Sequence, residues 1–168
     1  MRDHGWTLTE LLIALALAGV LTALAAPTFA GLLADLRRSA TLTLLHGAAH
    51  TARRLAAAQG KPVLLCALGH DGRCSGHLDW SGQPLAITTG LEDPPLRTWS
   101  PPRVPAGVRL SSNRPLIHFS PLPPSASPAT VLYCDPRGSR FSGAVILSAT
   151  GRPRVTVGAA LPEPTGCP

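Results

Sequence analysis

The run from Leu11 to Ala34 holds 24 residues without a single charge, and it constrains this chain more than any other feature. At 1.5 Å of rise per helical residue it reaches about 36 Å, enough to cross a bilayer. A secretory signal has a shorter apolar region, roughly 7 to 15 residues, ending at a small-residue cleavage site. Ala25 and Ala26 before Pro27 imitate such a site, but the run is too long for that role, and an anchor follows. Glu10 stands at its head. An unpaired carboxylate in lipid is costly, so this one either snorkels to the membrane surface near a helix start or meets a cation.

Beyond the run the helical spacing continues through Leu33, Leu36, Ala40, Leu44, Ala48, Ala52 and Leu55, with Asp35, Arg37, Arg38, His50, Arg53 and Arg54 on the other faces. Gly60 and Pro62 end it, the first as a left-handed cap and the second as a stop. The expectation is one helix over about 6–58.

After Pro62 the period changes. "VLLCAL" at 63–68, "GVRLSS" at 107–112, "PLIHFS" at 115–120, "TVLYC" at 130–134, "GAVILSA" at 143–149 and "RVTV" at 154–157 are short, β-branched runs bounded by Gly or Pro. They predict an antiparallel sheet packed against the helix, an α+β domain. The proline-rich "LEDPPLRTWSPPRVP" and "SPLPPSASP" read as surface connections rather than ligand segments.

Of the 15 basic residues 14 are arginine, and the stretch Arg97 to Arg154 carries eight arginines against Asp135 alone, a net +7. A field of that sign attracts nucleic acid, anionic lipid or an acidic protein without choosing among them. Four cysteines, Cys66, Cys74, Cys134 and Cys167, in a chain led by an export-type segment suggest two disulfides and an oxidising compartment. The most local of three connectivities joins Cys66 to Cys74 and Cys134 to Cys167. Charge bias runs the other way, with Arg2 before the span and Arg37, Arg38, Arg53 and Arg54 after it. The cysteines carry more weight, because a reducing compartment would leave them without purpose.

Cys66, His70, Cys74 and His77 form C-x3-H-x3-C-x2-H, but this spacing matches no common zinc motif and "GHDGR" reads as a hairpin turn. His46 and His50 lie one helical turn apart without a third ligand. No Gly-x-Ser-x-Gly elbow, phosphate loop or carboxylate cluster appears. The expectation is a chain that is not an enzyme and holds no cofactor and no metal. The informative constellation is "SATGRPRVTVG" at 148–158, in which apolar strands flank a tight turn carrying Arg152 and Arg154. Two residues of extended chain span about 6.6 to 7 Å, so both guanidiniums can emerge on one side and meet successive phosphates.

"GWTLTELL" at 5–12, followed by an apolar helix with Pro27, resembles the N-terminus of type IV prepilins and type II secretion pseudopilins. The resemblance implies cleavage by a prepilin peptidase between Gly5 and Trp6, N-methylation of Trp6, and an assembly role for Glu10, whose carboxylate a neighbouring subunit's new α-amine would neutralise. Trp6 stands where phenylalanine is usual, and Thr9 where an aliphatic residue is commoner. "LCALGHDGRCSG" and "VLYCDPRGSRFSGAVILSATGRPRVTV" are similar to the GspH/FimT family of minor pilins and pseudopilins, which implies the pilin fold.

So read, the chain comprises a leader (1–5), a transmembrane and assembly helix (6–34), its amphipathic continuation (35–60) and a globular sheet domain (61–168). The implied location is the inner membrane, single-pass with the C-terminal domain periplasmic, and later a filament built with other pilins or pseudopilins. Gly151, Arg152 and Arg154 match the Gly-Arg-x-Arg motif of the FimT branch, which implies DNA binding for uptake, helped by Arg137 and Arg140. The alternative is an H-type minor pseudopilin of a type II secretion system, structural and without DNA binding.

Overall fold

The computed structural model describes residues 7–100, 104, 106–158 and 167. Gly5 and Trp6, where the sequence places cleavage and methylation, lie outside them. The chain divides into two units, Met1–Leu36 and Arg37–Pro168, with the helix α1 (Leu8–Gln59) running from the first into the second.

In the first unit α1 is bare. Leu11, Leu17, Leu21, Leu24 and Phe29 are all more than half exposed, Leu24 the most at 71%. Within this stretch Thr22 Oγ1 donates to the carbonyl of Ala18 at 2.9 Å, which satisfies it without a partner from outside the helix.

In the second unit the same helix buries a stripe: Leu42, Leu45, Ala48, Ala49, Ala52 and Ala56. The stripe differs from the expected one. Leu33, Leu36 and Ala40 are exposed and Leu44 and Leu55 only half-buried, because the sheets approach the helix along its alanine-rich side, where small side chains permit close contact. Gly60, at φ +64°, ends the helix in the left-handed conformation the sequence predicted.

The strands follow as β1 (Val63–Ala67), β2 (Leu85–Thr88), β3 (Arg97–Trp99), β4 (Arg109–Ser112), β5 (Leu116–Ser120), β6 (Ser125–Ala126), β7 (Ala129–Cys134), β8 (Gly143–Leu147) and β9 (Pro153–Val157). They form two antiparallel sheets rather than the single one expected, in the orders β3-β2-β1-β5-β6 and β4-β7-β8-β9. Three strands escaped the sequence reading. β2 is only four residues, β6 is two, and β3 lies inside a proline-rich segment read as a loop.

Both sheets cover the alanine stripe and share one core, centred on Trp80, Leu65, Leu85, Ile87, Leu110, Ile117, Phe119, Val131, Tyr133 and Val145. Gly143 in β8 is required there, because a Cβ would stand 2.6 Å from Leu42 Cδ1. β1 is buried along its whole length. Its second face packs into a smaller cluster of Cys66, Leu68, Ala86, Cys74 and Leu116. A disulfide joins Cys66 to Cys74 and another joins Cys134 to Cys167. By the chain entropy that closing loops of these lengths removes from the unfolded state, the two bonds contribute about 2 to 3 and about 4 kcal/mol. The first bond also removes both sulfurs from the C-x3-H-x3-C-x2-H set.

Candidate functional site

Two places concentrate the residues singled out by the sequence. The first is the start of α1. Thr7 and Glu10 cap it reciprocally: the Glu10 amide donates to Thr7 Oγ1 at 3.3 Å, while the Thr7 amide and hydroxyl donate to Glu10 Oε2 at 2.9 and 3.0 Å. This is a capping box, in which side chains three residues apart satisfy amides that no helical carbonyl can reach. An acidic group in the first turn also meets the positive end of the helix dipole. Glu10 Oε1 has no donor among the described residues.

The second place is the β8–β9 hairpin. Ser148 and Arg152 close it, with the Ser148 amide donating to the Arg152 carbonyl at 3.2 Å and the Arg152 amide to Ser148 Oγ at 3.2 Å. Inside the turn the Gly151 amide donates to the Ser148 carbonyl at 2.9 Å. Gly151 has φ +72° and is packed so tightly that a Cβ would meet Ala126 at 3.3 Å and Phe119 at 3.5 Å. The positive φ favours glycine, and the close neighbours leave little slack for a side chain.

Leu147 faces Pro153 and Ile146 faces Arg154. The Ser148–Arg152 bond makes Ile146–Arg154 the next hydrogen-bonded pair and Leu147–Pro153 a non-bonded one. Pro153 therefore loses no ladder bond, as suits the first residue of an edge strand. Arg152 and Arg154 are both exposed and line one open cleft of about 560 Å³ with Ile146, Ser148, Thr150 and Pro153. Neither has an ion-pair partner among the described residues.

A family model described as "Type II transport protein GspH" matches residues 41–151, and one described as "Prokaryotic N-terminal methylation motif" matches residues 1–26. The chain belongs to the GspH family. It is a minor pilin or pseudopilin, a structural subunit of filaments assembled from such proteins and not an enzyme.

Two crystal structures of the type IV minor pilin FimU from Pseudomonas aeruginosa strain PAO1, in space groups P65 and P21, share the fold. The first is 17% identical, with 74% of this chain and 97% of that one covered at a TM-score of 0.56. The second is 18% identical over 75% and 92%, also at 0.56. No curated protein sequence matches significantly.

In this GspH-family protein the remaining predicted residues stand elsewhere. Arg137 and Arg140 sit in the β7–β8 connection, at the far end of β8 from the hairpin tip. Six residue-to-residue steps of extended chain, from Ser142 to Ser148, put the two places roughly 20 Å apart. Arg137 grips the buried carboxylate of Asp135 with Nε at 3.0 Å and Nη2 at 2.8 Å, and its amide adds a third bond at 2.9 Å. These bonds, the side-chain ones foremost, hold the Asp135 carboxyl below the usual carboxylate range against the opposing effect of burial. The Arg137 guanidinium lies 4.3 Å from the centre of the Phe141 ring and that of Arg140 5.0 Å from it. Arg38 Nη1 reaches the Phe141 carbonyl at 2.9 Å. Arg137 thus has a structural task in shaping this connection.

The helix-borne His46 and His50 meet edge to face, 4.7 Å between centroids. Desolvation first, then the nearby His46, Arg53 and Arg54 charges, lower the His50 pKa. Among the described residues no group of three His, Cys, Asp or Glu is arranged to hold a metal.

Two residues of interest escaped the sequence reading. Thr7 was visible in principle, since Thr-x-x-Glu ahead of an apolar run is a helix-start signature. Arg114 carried no such signal, because only strand pairing brings it near the hairpin.

Proposed function

We propose that this minor pilin is held by α1 in the inner membrane with its sheet domain in the periplasm, is cleaved by a prepilin peptidase after Gly5 and N-methylated at Trp6, and then enters a filament where it binds DNA for uptake. The division into leader 1–5, assembly helix 6–34, amphipathic helix 35–60 and sheet domain 61–168 follows from that sequence of events.

Glu10 suits the assembly step. Oε2 is occupied by Thr7 while Oε1 has no donor among the described residues, so a neighbouring subunit's α-amine can bind without breaking the helix cap. The methylation-motif match over residues 1–26 supports the same step.

The observation that carries DNA binding is the common cleft of Arg152 and Arg154, two exposed guanidiniums without an ion-pair partner among the described residues. Such contacts are sequence-independent and salt-sensitive, log affinity falling with log salt by about 0.9 per duplex phosphate engaged. Titration of labelled duplex DNA at several salt concentrations tests it. Replacing both Arg152 and Arg154 by Gln is expected to flatten the salt slope by about 1.8, and unchanged binding would refute the reading.

The match to the GspH family, whose description concerns type II transport, favours a second reading: an H-type minor pseudopilin of a type II secretion system. In that case loss of the protein abolishes export and leaves DNA uptake intact.

A further inference from the structure

We infer that Arg114 completes a three-arginine platform with Arg152 and Arg154, and that this platform engages the phosphodiester backbone of duplex DNA. The inference rests on the DNA-binding reading and extends it to a residue 38 positions from the motif in sequence.

Strand pairing places Arg114. Ala129 of β7 faces Leu147 of β8, and Leu147 faces Pro153 of β9. The residue before Ala129 is Pro128, and Arg114 Nε donates to its carbonyl at 2.8 Å. The residues on the same side of the other two strands are Ser148 and Arg152, joined by the 3.2 Å bond that closes the hairpin. The Pro128 carbonyl, like that of Thr130 two residues on, points away from β8, so at about 4.8 Å between neighbouring strands the Arg114 guanidinium stands on the β4 side of β7, roughly 15 Å from the backbone of Arg152.

A second row runs parallel to the first: Arg154 faces Ile146, which faces Thr130. The Thr130 amide donates to Asn113 Oδ1 at 2.9 Å, and the Asn113 amide to the Thr130 carbonyl at 3.1 Å. Asn113 is thereby fixed against β7, and Arg114 next to it is aimed along the end of the sheet.

The charge at this end of the sheet is mostly positive, with Asp79 bridged to Ser111 of β4 further along that edge. Residues 112–134 and 143–158 contain no Asp or Glu, and Asp135 lies at the far end of the sheet in the grip of Arg137. Arg114 is exposed and has no ion-pair partner among the described residues. With Nε bound to Pro128, its two terminal nitrogens remain to meet a phosphate as a fork, and the anchored stem lowers the entropy lost on binding. Duplex DNA carries one charge per about 1.7 Å of axis, so a platform roughly 15 Å wide confronts several phosphates.

The test uses the full chain in neutral detergent, with a fluorescent 30-base-pair duplex titrated at several salt concentrations. Arg114→Gln is expected to flatten the salt slope by about 0.9 and to weaken binding alike for unrelated sequences. Arg114→Lys, which keeps the charge, is expected to restore the slope. Arg109→Gln, at the opposite end of β4, is expected to leave it unchanged.

A wild-type slope in Arg114→Gln, with Arg152→Gln/Arg154→Gln still weakened, overturns the role of Arg114 and leaves the hairpin reading standing. Equal losses in the Gln and Lys variants mark a structural role and also overturn it. An equal loss in Arg109→Gln means a diffuse field rather than a platform. Absence of DNA binding by the unaltered chain overturns both readings together.

Discussion

The two halves of α1 are built from the same residue types and meet opposite fates. From Leu11 to Leu32 the leucines are more than half exposed, whereas Leu45 is 2% exposed and Ala49 and Ala52 are fully buried. Covering a leucine gains about 1.5 to 3 kcal/mol over leaving it in water. The second half obtains that gain from the chain's own sheets. The first half does not, so its apolar surface is stable only in lipid or against other copies of such helices. One helix therefore carries both a folding interface and an apolar face that its own chain leaves uncovered, and the proposed passage from membrane to filament needs that face to stay uncovered.

The largest expected effect tests that contrast directly. Leu45→Ala is expected to lower stability by about 2 to 5 kcal/mol, while Leu21→Ala, at 67% exposure, leaves unfolding of the sheet domain within about 0.5 kcal/mol of the unaltered chain. Denaturant unfolding in detergent, followed through Trp80 in the core, measures both. Equal losses would mean that the first half also packs on its own chain.

A smaller effect separates the sheet domain's internal charge chemistry from the helix start. The Asp135 carboxyl titrates below its ordinary value in the folded protein. The folded state thus binds fewer protons than the unfolded one across the window from about pH 4 downward to the folded pKa. The stability this provides is present above about pH 4 and is lost as the pH falls through that window. Asp135→Asn is expected to cost about 2 kcal/mol at neutral pH and to flatten the acid limb of stability against pH. An unchanged acid limb would mean that Arg137 does not stabilise the ionised form.

The smallest effect belongs to the helix cap. Thr7→Ala is expected to weaken the first turn of α1 by about 1 kcal/mol, seen as faster hydrogen exchange at the Glu10 and Leu11 amides, with no change in unfolding of the sheet domain. A shift in that unfolding would show the two regions to be coupled.

Some elements were open to reading along the chain because their signals are local. The uncharged run, the Gly60 cap and the hairpin around Gly151 each rest on residues within a turn or two of one another. The strand runs "VLLCAL" and "GAVILSA" announced themselves by length and branching. β2 did not, since its four residues, LAIT, are too short a run to stand out. β3 was hidden by flanking prolines, although its pairing needs only three residues.

The arginines divide the same way. Arg152 and Arg154 were legible as a pair because extended chain puts alternate side chains on one face. Nothing in the order of residues distinguishes Arg114, which is brought to the hairpin, from Arg137, which is bound to a buried carboxylate. Composition and local spacing by themselves determined an anchored helix, a headgroup of short strands and a basic surface. Which helix face is covered, how the described strands divide between two sheets and which arginines among the described residues lack an ion-pair partner were decided by long-range pairing and packing, whose partners lie tens of residues apart and leave no local trace.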